Sequence, residues 1–208
     1  MTWRAATLAL VAGLGGCAYY NGLWRANRLA REAERAARDG RVGEARSLWA
    51  QAATRAESVS VRHPNSRWTD DALLLHGRAL RELGQCGPAL QPLERARVTS
   101  PDRSVRETAA VLEAGCHLAL GDADRALAVS ASAVASPDLT RASEARYWRG
   151  RAAQALGDHP SAERDLAVSD EPDAAAWRAV SLAELGEVAA LQPILDSLLG
   201  RVGVDEGR

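Results

Sequence analysis

The stretch Ala145-Arg-Tyr-Trp-Arg-Gly-Arg-Ala-Ala-Gln-Ala-Leu-Gly-Asp-His-Pro-Ser-Ala162 decides the fold of this chain. Up to Leu156 it is rich in Ala and Arg, which are good helix formers, and it shows no strand-like alternation. Gly157 then follows an amphipathic run, where a helix C-terminal cap with positive φ calls for glycine. A second helix begins a few residues later, so the segment reads as a helical hairpin.

Working outward, the same punctuation recurs. Leu83-Gly84, Leu120-Gly121, Leu156-Gly157 and Leu185-Gly186 fall at intervals of 37, 36 and 29 residues, and Asp39-Gly40 precedes them by 44. A small Ala stands five residues after the turn glycine in the first four units, at Ala45, Ala89, Ala126 and Ala162. Seven residues before it stand Ala33, Gly77, Ala114, Gly150 and Ala179. Small residues at both places let two antiparallel helices approach closely, with Trp49, Leu93 and Leu166 filling the space beside them. Pro64, Pro101, Pro137 and Pro172 mark ends of units, and Ser104 with Glu107 has the spacing of a capping box.

This pattern resembles the tetratricopeptide repeat, a unit of about 34 residues made of helix, tight turn and helix. The resemblance covers roughly residues 25–200 and implies an all-α, right-handed superhelix of about five helical hairpins. Departures stand at a long second helix before Pro64, at Pro92, which should kink its helix, and in the last unit, which lacks Ala after its turn. In that family the first helices line a concave groove that grips peptides or partner helices. Carried over, the groove lining is Asp71, Leu74, Arg78, Arg81, Glu144, Tyr147, Arg151 and Gln154. Arginines there can bond a partner's carboxylates and Tyr147 is an amphipathic anchor. The competing reading has the arginines paired with Glu82, Glu144 and Asp71 on a solvated face.

The N-terminus reads as an export signal. Arg4 is followed by the uncharged run 5–14 and then by Leu14-Gly15-Gly16-Cys17. A membrane-spanning helix needs about twenty apolar residues, more than this run supplies. Leu-Gly-Gly-Cys resembles the bacterial lipobox, which implies a signal peptide over 1–16, acylation of Cys17, a linker over 17–24 and a flexible tail over 201–208. Ala18 rather than Asp after the Cys implies, by the same resemblance, an outer-membrane anchor facing the periplasm. The segment Arg62-His-Pro-Asn-Ser-Arg-Trp-Thr-Asp-Asp-Ala-Leu-Leu-Leu-His-Gly77 is similar to linkers in BamD-type outer-membrane assembly lipoproteins. That likeness implies β-barrel assembly components or unfolded barrel clients as partners, with a subunit of another envelope complex or a secretin pilotin as the alternative.

Other chemistry finds little support. The net charge of −1 offers no basis for nucleic-acid binding. His63, His76, His117 and His159 fall in different units, and no metal-binding or phosphate-loop motif is present, so no cofactor, metal, catalytic residue or small-molecule substrate is expected. In an oxidising compartment Cys86 and Cys116 form an even pair. They read either as a disulfide along one edge of the solenoid, the expectation adopted, or as two inert thiols. Arg25, Arg28, Arg31 and Arg35 recur every three or four residues on the first helix. They read as a face turned to anionic lipid or, as adopted, as an ordinary surface balanced by Glu32, Glu34 and Asp39.

Overall fold

The computed structural model describes the backbone of residues 3–205 and the side chains of residues 21–200. Among the described residues there are ten helices and no strand: α1 Trp3–Arg38, α2 Val42–Arg62, α3 Thr69–Glu82, α4 Cys86–Thr99, α5 Arg103–Ala119, α6 Ala123–Ser130, α7 Leu139–Ala155, α8 His159–Leu166, α9 Ala174–Glu184 and α10 Val188–Asp205. They form five consecutive hairpins, α1–α2 to α9–α10. No described helix is long and apolar enough to cross a membrane.

Each hairpin turns at its expected glycine. Gly40, Gly84, Gly121, Gly157 and Gly186 all have φ between 72 and 82°, a region that costs other L-residues about 1–2 kcal/mol. The amide after each glycine bonds back to a carbonyl five residues earlier, as in Gln85 N to Leu80 O at 2.9 Å and Asp158 N to Ala153 O at 2.9 Å. This satisfies carbonyls that the helix end would leave open. In the third and fourth hairpins the residue after the glycine also starts the second helix. Asp122 accepts from the Arg125 amide at 3.2 Å and Asp158 from the Ser161 amide at 3.1 Å. Those hydrogen bonds from Ser161 hold the Asp158 carboxyl below its ordinary pKa.

The small residues sit where the two helices of a hairpin meet. Ala33, Ala114, Ala89, Ala126 and Ala162 are fully buried. A Cβ on Gly77 would lie 2.4 Å from Leu93 Cγ, and one on Gly150 would lie 2.9 Å from Leu166 Cγ. Helix backbones can approach this closely only where one side carries no side chain.

The chain divides into two compact units, residues 1–109 and 110–208. The core of the first gathers Leu23, Trp49, Ala52, Val59, Leu75 and Ala79, with a second cluster of Leu73, Ala96, Val105 and Ala109. The second unit packs Tyr147, Ala153, Ala162, Leu166 and Ala174, beside Ala110, Val111, Ala133 and Ala145.

Several expected segments take definite form. The helix is unbroken through the expected linker 17–24, and Leu23 is buried in the first core, so packing starts before residue 25. At the other end α10 runs to Asp205, into the expected tail. Pro92 lies inside α4 without ending it, its ring buried in the hairpin. The α5 start is served by Asp102, whose carboxylate accepts from the Ser104 amide at 2.7 Å, while Glu107 turns to Arg103 at 2.6 Å. The Asp102 carboxylate thus satisfies one of the open amides at the start of α5. Cys86 and Cys116, the expected disulfide pair, are both free thiols in the structure. Cys116 is wholly buried in the packing of α5, where a thiol behaves as a small apolar side chain, whereas Cys86 sits partly exposed at the first residue of α4.

Candidate functional site

Counting back from each turn glycine, Leu74, Arg78 and Arg81 on α3 occupy the same positions as Tyr147, Arg151 and Gln154 on α7. The two trios have different surroundings. On α3 the Arg78 guanidinium lies 2.7 Å from Glu34 of α1 and rests over the Trp49 ring at 5.6 Å. Arg81 reaches Glu82 at 3.5 Å. Leu74 packs against the Leu73, Ala96, Val105 and Ala109 cluster. Asp71 is half-buried, and its pKa is raised by burial and then by the neighbouring charges of Asp102 and Asp70. The α3 set is thus largely committed to holding α1, α3 and α4 together.

On α7 the trio converges on α9. The Arg151 guanidinium stacks on the Trp177 ring with Cζ 3.3 Å from the centroid, and its Nη1 donates to the Tyr147 hydroxyl at 3.1 Å. Gln154 donates to the Trp177 carbonyl and to Ser181 Oγ, both at 3.0 Å. Tyr147 is buried and meets Trp148 edge-on, centroids 4.9 Å apart. Glu144, one turn earlier, is half-buried. No described carboxylate forms an ion pair with Arg151, and its Nε is buried without a hydrogen-bond acceptor. A guanidinium fixed on an aromatic face keeps its remaining N–H groups for an acceptor supplied from outside.

Two neighbouring arginines of this unit, Arg149 and Arg178, are paired with carboxylates. Arg149 of α7 makes a two-point pair with Asp165 of α8, Nε to Oδ2 at 2.6 Å, which raises the Arg149 pKa. Arg178 of α9 makes a two-point contact with Glu163 Oε1 at 2.7 and 2.9 Å. These pairs fix α8 between α7 and α9 and so hold Trp177 in place under Arg151. The histidines stand apart: His63 ends α2, His76 lies in α3 and His159 opens α8. His117 in α5 is buried, 3.6 Å from Glu113 and 3.8 Å from Asp122.

Sequence reasoning missed Trp177. A signal existed, because Trp177 and Trp148 each stand nine residues before their turn glycines, at the same repeat position. Cys17, the expected lipidation site, lies outside the residues whose side chains are described.

No protein-family model and no curated protein matches the chain. Solved structures do. A tetratricopeptide repeat protein from Parabacteroides merdae ATCC 43184 is 17% identical, with a TM-score of 0.61 over 86% of this chain and 68% of that one. A double mutant of MamA, described as MamA RS-1 ArsTM, is 15% identical, with a TM-score of 0.65 over 88% of this chain and 98% of that one. At such identity the likeness concerns the fold, which is tetratricopeptide-repeat-like.

Proposed function

We propose that the chain is a protein-binding scaffold, tethered to the periplasmic face of the outer membrane by acyl chains on Cys17, that works by holding partners rather than by chemistry of its own. The observation that carries the binding reading is Arg151, stacked on Trp177, bonded to Tyr147 and without a carboxylate partner among the described residues. A partner carboxylate, on a side chain or at a chain terminus, fits there and gains a charge-assisted bond to a side chain already fixed in place. The repeat fold supports a role in protein recognition. Leu14-Gly15-Gly16-Cys17 and the linker-like stretch 62–77 support the envelope and, within it, outer-membrane protein assembly, where the partners would be barrel-assembly components or unfolded barrels.

The test is capture of partners from detergent-solubilised envelope by the wild-type chain and by Arg151→Glu. The expected result is copurification of β-barrel assembly proteins, lost by tenfold or more in Arg151→Glu while far-UV helicity stays the same. Undiminished capture by Arg151→Glu would overturn the binding site, and copurification of secretin subunits or of another fixed complex would overturn the assembly role. Cys17→Ala is expected to abolish incorporation of labelled palmitate; undiminished palmitate incorporation by Cys17→Ala, or none by the parent chain, would overturn the anchor.

A further inference from the structure

On α1, at about 100° per residue, Trp24, Arg28, Arg31, Arg35 and Arg38 fall within an arc of about 80°, with Arg25 about 60° beyond it. The stripe runs for about 20 Å. All six side chains are exposed, and the core-facing residues Leu23, Ala26, Ala30 and Ala33 lie on the opposite side of the helix. The stripe therefore points away from the first core.

The carboxylates expected to balance these arginines are engaged differently. Glu34 turns to Arg78 at 2.7 Å and Asp39 to Arg41 at 2.8 Å. Only Glu32 remains, bonded to Arg28 at 2.8 Å, and its pKa is lowered first by that bond and further by the charges of Arg28, Arg35 and Arg31. Arg25, Arg31, Arg35 and Arg38 have no ion-pair partner among the described residues. The unpaired guanidinium groups of Arg31, Arg35 and Arg38, flanked by Arg25, form a positive strip on a chain whose net charge is −1. Such a strip attracts phosphate-bearing surfaces.

We propose that this face of α1 lies on an anionic phospholipid surface, its arginines against headgroup phosphates and Trp24 at the interface. The face deepens the membrane placement proposed above and rests on it for the kind of surface it meets. One observation favours lipid over nucleic acid. Trp24 is 44% exposed at the end of the stripe, one turn from Arg28, whose guanidinium lies 5.9 Å from the ring centroid. Tryptophan beside cationic side chains suits the headgroup region, where an apolar ring and a polar N–H are both accommodated.

The test uses the full chain carrying Cys17→Ser, which cannot be acylated, with neutral phosphatidylcholine vesicles and vesicles that also contain phosphatidylglycerol. The apolar run 5–14 contributes to both, so the ratio of the two partition coefficients reads the charge effect alone. A cation at an anionic surface is worth about fivefold in partitioning. Arg31→Ala/Arg35→Ala/Arg38→Ala should therefore lower the ratio by about a hundredfold. Arg46→Ala/Arg55→Ala/Arg62→Ala on α2 removes equally exposed, unpaired arginines and should lower it far less. A ratio near one in the parent, equal losses in both triple variants, or tighter and equally stripe-dependent binding to single-stranded RNA would each overturn the proposal. Palmitate incorporation into the chain with Cys17 intact reads the anchor separately, so either idea can fail without the other.

Discussion

Replacing Gly77 by Ala tests the close approach on which every hairpin depends. In an open helix interior the change stabilises by about 1 kcal/mol, because alanine is the better helix former. Here the new methyl would lie 2.4 Å from Leu93 Cγ, 2.6 Å from Leu93 Cδ2 and 3.3 Å from the Ala89 carbonyl oxygen. Leu93 is fully buried, so it has no empty space to move into. Overpacking of this kind costs about 1–3 kcal/mol, and contact with Leu93 Cγ puts Gly77 toward the upper end. The net expectation is a loss of about 1–2 kcal/mol, read by urea unfolding followed at the helical CD signal. At Gly150 the nearest approach is the looser 2.9 Å to Leu166 Cγ, so Gly150→Ala should cost less than Gly77→Ala. Leu93→Ala alone should cost about 2–5 kcal/mol, and the methyl of Ala at position 77 would then fill part of the cavity. The double variant should fall short of the summed losses by about 1–3 kcal/mol. A Gly77→Ala protein more stable than the parent, or a cycle additive within about 0.5 kcal/mol, would refute the account.

Two further outcomes follow from charge. Burial lowers the His76 pKa below its ordinary 6.5, outweighing the opposing effect of Glu57. The unfolded chain therefore takes a proton that the folded one resists: His76 supports stability above pH 6.5 and withdraws that support as pH falls through the folded value. Asp71 has the opposite sign. Its pKa is raised from 3.8 by burial and by the neighbouring charges of Asp102 and Asp70, so its contribution is full below 3.8 and lost as pH rises through the folded value. His76→Gln should flatten the decline in stability just below pH 6.5, and Asp71→Asn should raise the melting temperature at neutral pH; a pH profile unchanged by both would contradict these environments. Asp165 is 8% exposed, and Asp165→Ala should cost about 1–3 kcal/mol by leaving the Arg149 guanidinium without its carboxylate. Arg149→Ala/Asp165→Ala should be milder than Asp165→Ala alone, as unfolding of the three proteins would show.

The hairpins were legible because their determinants are local and steric. A turn that needs positive φ selects glycine, and helices that nearly touch select Ala or Gly seven residues before it and Ala five after, so Gly157, Gly150 and Ala162 announce one hairpin within thirteen residues. Long-range pairing was not legible. Arg78 was expected either in a groove or beside a nearby acid, and its partner is Glu34, 44 residues earlier. Charge composition says how many ions must be balanced and nothing about which long side chain turns toward which. The arginines of α1 were read as balanced for the same reason, and two of the three acids assigned to them face other residues.

The contrast between Arg78 and Arg151 follows from what the preceding hairpin offers. Both stand six residues before a turn glycine, and six residues before the preceding one stand Glu34 and Gly115 respectively. The first helices of neighbouring hairpins touch, α1 with α3 and α7 with α9. Glu34 consequently reaches Arg78 and neutralises it. Gly115 has no side chain to offer Arg151, and it cannot easily acquire one, because an added Cβ would lie 3.1 Å from the Trp148 ring. The packing of Trp148 on Gly115 thus excludes an internal counter-charge from the repeat position that supplies one to Arg78. The next hairpin brings Trp177 instead, which orients the guanidinium without neutralising it. One repeat position therefore serves folding in the first unit and leaves an oriented, unneutralised cation in the second, and the residue one hairpin upstream decides which.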